Sequence, residues 1–286
     1  MNETQVSVDI NYAYRDLVNS ALTCGPGAFM QARYSRWLGL SLAAVLLAGC
    51  QAFSSGGPAT AAAPAADPNL EATVRKAAAD AEASYNYGEA AQHYATLLER
   101  HPDEQDVVLA VARNLRYSGS PQQSIVVIDK LIAKSGTKEP LMVELGKDYL
   151  AADQLNLAVS VLQQAHAGDP GNWQILSALG VAQDRQGNFK DAQATYESAL
   201  KLAANNPVLL NNYALSLAQS GQLDAAITAL QTATSQPEAT AQTRQNLALM
   251  LALKGDNAAA TRLIRADLPA DMAQNNISYY QGLGAQ

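Results

Sequence analysis

Residues that usually carry chemistry are scarce in this chain. Among its 286 residues are two cysteines, three histidines, three phenylalanines and two tryptophans. Cys24 and Cys50 form no C-x-x-C pair, which excludes the common zinc and dithiol-redox signatures. His93, His101 and His166 lack metal-ligand spacing, so no metal site is expected. Neither G-x-G-x-x-G nor G-x-x-x-x-G-K-[ST] occurs, and nucleotide binding loses its usual signal. Ser135-Gly-Thr-Lys138 fits the S-x-x-K nucleophile pattern but sits in a turn-forming stretch, without the fold that pattern needs. No catalytic residue, cofactor or small-molecule substrate is expected, and the chain reads as a non-enzyme. Charge is sparse too: Asp, Glu, Lys and Arg make up 16% of residues, and the net charge is −7. Phosphate recognition needs clustered Lys and Arg, so nucleic acid is not an expected partner.

Long apolar runs are equally rare. The exception, Trp37 to Ala48, follows Arg33 and Arg36. A positive start, a short apolar centre and small residues at its end compose a secretory signal. The run is shorter than the roughly 20 residues that a membrane-spanning helix needs. Leu47-Ala48-Gly49-Cys50 resembles the lipobox of bacterial lipoproteins. That resemblance implies that residues 30–49 are a signal peptide, that Cys50 is lipidated, and that its acyl chains hold the protein to a membrane; several chains anchor stably where one does not. Gln51 stands where Asp would imply the inner membrane, so the resemblance implies the periplasmic face of the outer membrane. Residues 1–29 read as an upstream extension that is not mature, with Met30 as the start. Residues 50–70, the lipidated Cys and a Gly/Ser/Ala/Pro segment, read as a flexible tether.

The rest of the chain is rich in Ala, Leu and Gln, which favour helix. It repeats every 34 residues. Ala78, Ala112, Gly146, Gly180, Ala214 and Ala248 form one small-residue column, and Ala90, Ser124, Ala158, Ala192, Ala226 and Ala260 form a second. Tyr94, Ile128, Leu162, Tyr196, Leu230 and Ile264 form a large apolar column. Tyr85, Gly119, Asp153, Gly187, Gly221 and Gly255 form a fourth, which is turn chemistry everywhere except Tyr85. Each unit holds two helical patterns; in residues 173–206, Ala192, Tyr196, Ala199 and Leu200 share one helical face. Small residues let two helices of a hairpin approach closely, and the large residue fills the space beside that contact. Gly146, Ala158, Gly180, Ala192, Tyr196, Ala214 and Ala226 are therefore the expected packing residues. One hairpin cannot bury both its faces, so neighbours must stack on it.

This pattern resembles the tetratricopeptide repeat (TPR). Leu145-Gly146, Tyr149, Ala158, Leu162, Ala165 and Pro170 carry the likeness in one unit, and Leu179-Gly180, Ala192, Tyr196 and Ala199 in the next. The expected fold is all-α: a solenoid of about six helix-turn-helix repeats over 71–268, bounded at 104, 138, 172, 206 and 240, with a C-terminal capping helix in 269–286. In TPR arrays the first helices line a concave groove. That analogy places Arg113, Arg116, Lys147, Leu150, Val181, Asn211, Asn212, Leu215, Asn246 and Leu249 in the groove. It is expected to run from basic at repeats two and three to apolar at repeats five and six, with Asn211, Asn212 and Asn246 bonding a peptide backbone.

The whole organisation (lipoprotein signal, Ala/Pro tether, TPR array, then the stretch ADLPADMAQNNISYYQGL at 266–283) resembles the TadD-like lipoproteins of tight-adherence (Tad/Flp) pilus systems. The resemblance implies a pilotin-like role, in which the protein binds the outer-membrane secretin of the pilus and aids its localisation or assembly. Two other readings stand beside it: a type IV pilus pilotin, and a TPR lipoprotein adaptor for cell-wall enzymes.

Overall fold

The computed structural model describes residues 68–283. Among the described residues are thirteen α-helices and no strand. They are α1 (Pro68–Ala83), α2 (Tyr87–Arg100), α3 (Gln105–Tyr117), α4 (Pro121–Ser135), α5 (Glu139–Ala151), α6 (Leu155–Gly168), α7 (Trp173–Arg185), α8 (Phe189–Leu202), α9 (Pro207–Gln219), α10 (Leu223–Thr234), α11 (Ala241–Leu253), α12 (Asn257–Asp267) and α13 (Ala270–Leu283). Helices α1 to α12 pair in order into six hairpins. Cys50, the expected signal peptide and residues 1–29 lie outside the described residues, as does the tether apart from its end. There α1 begins at Pro68, ahead of the first repeat boundary expected at 71.

Each hairpin turn is built the same way. The second residue after the first helix has positive φ at all six turns: Tyr85 at 58°, Gly119 at 83°, Asp153 at 59°, Gly187 at 78°, Gly221 at 83° and Gly255 at 90°. The amide one residue later reaches back to a carbonyl in the last turn of the helix, as in Ser120 N to Leu115 O at 2.8 Å and Asn188 N to Gln183 O at 2.9 Å. A second bond, closing a smaller ring, accompanies it, as in Gly119 N to Arg116 O at 3.0 Å. This pair of bonds satisfies carbonyls that a helix end would otherwise leave unbonded. Tyr85, the one residue in that column without turn chemistry, adopts the same left-handed backbone as the glycines.

The other end of each repeat starts the next first helix. Asn172 Oδ1 accepts from Gln174 N, Asn206 Oδ1 from Val208 N and Leu209 N, and Thr240 Oγ1 from Thr243 N. These three residues share one position of the period and cap α7, α9 and α11. Pro121, Pro140 and Pro207 sit in the first turns of α4, α5 and α9, where the missing N–H costs nothing.

The two small columns are buried from end to end. Ala78, Ala112, Ala214 and Ala248 are fully buried, as are Ala90, Ser124, Ala158, Ala192 and Ala226. A Cβ at Gly146 would meet Leu162 at 2.5 Å, and one at Gly180 would meet the Tyr196 ring at 2.6 Å. Each first helix also touches the first helix of the next repeat from α3 to α11, which is the stacking of a solenoid. Helix α13 packs on α11 and α12, and its Ala273 and Ile277 join the buried cluster there.

Polar side chains stitch successive first helices at a fixed offset. The twelfth residue of one repeat bonds the tenth of the next: Asn114 Nδ2 donates to Glu82 Oε1 (2.6 Å), Arg116 Nε lies 3.3 Å from Asp148 Oδ1, and Ser216 Oγ donates to Asp184 Oδ1 (2.6 Å). A second ladder links the fifth and sixth residues: Asn212 Nδ2 to Ser177 Oγ (3.3 Å) and Asn246 Nδ2 to Asn211 Oδ1 (2.7 Å).

Candidate functional site

The first helices of repeats two to five enclose a concave groove of about 930 Å³. Arg113, Arg116 and Tyr117 of α3 and Glu144 and Lys147 of α5 form one end. Val143, Ala178, Val181, Trp173, Pro140 and Pro207 give it an apolar wall. The loop at Ala203–Asn206, with Gln236, Glu238 and Thr240 of the following inter-repeat loop, closes the far rim. Helical spacing explains this placement. Arg113, Lys147 and Val181 occupy the ninth position of successive repeats, so stacking brings them onto one face.

Six of the ten residues expected in the groove line it: Arg113, Arg116, Lys147, Leu150, Val181 and Asn212. The other four do not. Leu215 and Leu249 are 3% exposed and belong to one apolar cluster with Met250, Ile264, Ala273 and Ile277. They repeat the position of Val181, but here they join the cluster that α11, α12 and α13 complete, so that position meets protein. Asn211 and Asn246 are fully buried and bond each other. The apolar half expected at repeats five and six is therefore core, and its asparagines tie repeat to repeat where a peptide-facing role was expected. The expected packing residues Gly146, Ala158, Gly180, Ala192, Tyr196, Ala214 and Ala226 are all buried at hairpin contacts.

The basic end also differs from its expected form. Arg116 is 6% exposed and is held by Glu144 in a buried ion pair. Its guanidinium lies 4.9 Å from the centroid of the Tyr117 ring, which in turn contacts Tyr87 at 5.0 Å. Burial resists ionisation of Glu144, but Arg116, then Lys147 and Arg113, hold its carboxyl below the usual range. Half-buried Arg113 and Lys147 present the positive charge on this wall. Arg185 turns to the carbonyl of Leu150 (2.7 Å) and to Asp153 (2.8 Å).

Sequence spacing missed Trp173, Pro140, Val143 and the inter-repeat loops. Trp173 and the 203–206 loop stand at the ends of a period, so a reading of first-helix positions alone passes over them. It also missed a meeting of Glu71, His101 and Glu104, whose ligand atoms lie within 4.8 Å of one another. Arg75 already bonds Glu71 (3.1 Å) and Glu104 (2.8 Å) in that cluster and supplies its positive charge. Among the described residues no helix is long and apolar enough to cross a membrane.

The tetratricopeptide-repeat family matches residues 149–210 and 185–243. No curated protein matches the sequence. Similar solved structures include a thermophilic TPR protein of Thermus thermophilus, 20% identical, with a TM-score of 0.57 over 63% of this chain and 98% of that one. MamA from Desulfovibrio magneticus is 16% identical, with a TM-score of 0.48 over 63% of this chain and 97% of that chain. At 20% identity the likeness to the Thermus thermophilus protein is one of fold. That fold is the TPR solenoid, which the repeat period and the stacked hairpins define independently.

Proposed function

We propose that this protein is a lipid-anchored TPR scaffold for Tad/Flp pilus assembly, binding the outer-membrane secretin as a pilotin does. TPR-fold proteins are as a class scaffolds that bind other proteins. The observation that carries the reading is the groove of about 930 Å³, with Arg113 and Lys147 at one end and an apolar wall around Val143, Trp173 and Val181. An amphipathic helix or an extended tail fits such a surface, with apolar side chains on the wall and an acidic group toward the cations. The lipobox-like Leu47–Cys50 supports the membrane part of the reading, and the 266–283 stretch supports the pilus part. Acyl chains on Cys50 would hold the array beside the membrane, and the tether would raise the effective concentration of a membrane-bound partner.

Two measurements test this. Wild-type protein is expected to recover a secretin from solubilised outer membranes, and Val181→Glu to recover at least tenfold less with unchanged helicity. Recovery of cell-wall hydrolases or synthases in place of a secretin would replace the pilus reading with the adaptor reading. Cys50→Ala is expected to move the protein from the membrane fraction to the soluble one, and unchanged fractionation would remove the lipid anchor.

A further inference from the structure

The α3–α5 joint beneath the basic end of the groove holds three departures from the repeat pattern at one place. Ser124 is the single hydroxyl in a column that is otherwise alanine. Arg116 is the single cation at the twelfth position of the repeats. Asp148 is fully buried at the tenth position, where Asp80 of the first repeat is exposed and the next two repeats have Ala182 and Ser216. One guanidinium therefore meets two buried carboxyl groups, Glu144 and Asp148. Lys147 and Arg113 also act on Glu144 but are half-buried at the groove, so among the buried charges two ionised carboxyl groups would outnumber the one guanidinium, an arrangement that favours a retained proton.

Counting donors places that proton. Ser124 Oγ lies 2.9 Å from the carbonyl of Ala112 and 2.5 Å from Asp148 Oδ2, all of them buried. A hydroxyl has one hydrogen to give, and a carbonyl has none. With a carboxylate at Asp148, Ser124 has to share its one hydrogen between the two oxygens; with a proton on Asp148, Ser124 donates to Ala112, Asp148 donates to Ser124, and each contact is a full hydrogen bond. Arg116 Nε then faces the other oxygen, Oδ1, at 3.3 Å.

We propose that this joint is a proton-holding site, in which Asp148 is a carboxylic acid at neutral pH and its ionisation weakens the contact between repeats two and three that floors the groove. The groups facing Asp148 are Arg116 from α3, Ser124 from α4, and Glu144 and Lys147 from its own helix. Both charged residues of α7 are engaged elsewhere, Asp184 with Ser216 and Tyr196, and Arg185 with Leu150 and Asp153. The one titratable side chain of α6, His166, sits at the opposite end of the hairpin. Burial is the largest influence on the Asp148 carboxyl and pushes it up to about 8. On ionisation the proton leaves for solvent, Ser124 has one hydrogen for two acceptors, and Arg116 is shared between two anions. The site is a property of the array, whatever the groove binds.

Carbon-13 NMR of the full chain labelled at aspartate carboxyls tests it. One carboxyl is expected to titrate at least three units above the ordinary midpoint of about 3.9, and that signal should be missing from Asp148→Asn. Glu144→Gln is expected to lower the midpoint, because the neighbouring negative charge that favours the retained proton is gone and Arg116 is left to Asp148 alone. The wild-type melting temperature should fall between pH 6 and pH 9 by more than that of Asp148→Asn. An Asp148 carboxyl that titrates in the ordinary range, or a midpoint unchanged or raised by Glu144→Gln, overturns the proposal. Should Asp148→Asn fail to fold, the wild-type and Glu144→Gln titrations decide it alone.

Discussion

Tyr85 shows how far the repeat overrides local preference. Its φ of 58° is a conformation that costs a residue with a Cβ about 1–2 kcal/mol. The turn adopts it because two backbone bonds to α1 depend on it: Tyr85 N to Glu82 O at 3.0 Å and Asn86 N to Ala81 O at 2.9 Å. The ring is 66% exposed, and its contact with Tyr87 is a single edge-on approach at 6.3 Å. Tyr85→Gly is therefore expected to stabilise the protein by about 1 kcal/mol, read as a higher denaturant midpoint at constant slope. Gly180 is the opposite case. Its absent side chain is the space occupied by Tyr196, so Gly180→Ala should destabilise by about 1–3 kcal/mol through overpacking. A midpoint equal to wild type would mean that the α7–α8 contact has room to spare. Both residues stand in columns visible in the sequence, but the left-handed backbone at Tyr85 is legible only because five other turns share it.

At the level of elements, the polar ladders hold first helix to first helix where apolar contact alone would leave rotation free. Asn246→Leu is expected to cost about 1–3 kcal/mol, because Asn211 Oδ1 keeps its burial and loses its donor. Replacing both asparagines with leucine should cost less than the sum of the single changes, and a double-mutant cycle measures the difference. Leu215→Glu belongs to this scale as well. A side chain 3% exposed in the α9–α12 cluster cannot accept a charge, so loss of helicity is expected, where a groove residue would lose only binding. The period, the hairpins and the packing columns were readable from spacing, since a 34-residue register fixes which faces meet. The fate of Asn211 and Asn246 was not, because the same residue type serves a partner peptide or a neighbouring helix, and only the closeness of α9 and α11 selects between them.

Across the whole array, pH acts through buried carboxyls. Burial raises Asp148 to about 8, against the opposing pull of Arg116, and raises Asp184 to about 6, against hydrogen bonds from Ser216 and Tyr196. Each group binds its proton more tightly when folded. Its contribution is complete below the unfolded value of about 3.9 and is lost as pH rises through the folded value. Glu144 has the opposite sign: its carboxyl is lowered, so its contribution is present above the unfolded value and is lost as pH falls. Between mildly acidic and mildly basic pH the two aspartates dominate, and thermal stability should decline. Asp184→Asn is expected to flatten the lower part of that decline, measured by thermal melts across the range. Stability is also graded along the solenoid, since each repeat leans on its neighbours and end units have fewer of them. Hydrogen exchange should be slowest in α5 to α10 and fastest in α1 and α13, and uniform protection would mean that the array unfolds as one unit.

The amino-acid order alone determined the repeat: its length, its two helices, its small and large columns and its turns. All of these follow from which residues can lie three, four or thirty-four positions apart in a stacked helix pair. The tertiary structure decided which members of one column meet solvent and which meet protein. Val181 lines the groove, while Leu215 and Leu249 are buried in the cluster that the terminal helix completes, although all three hold the same place in the period. It also decided the charge of the groove, because burial turns Arg116 toward Glu144 and Asp148, and burial depends on how close two helices lie, which no spacing in the chain records.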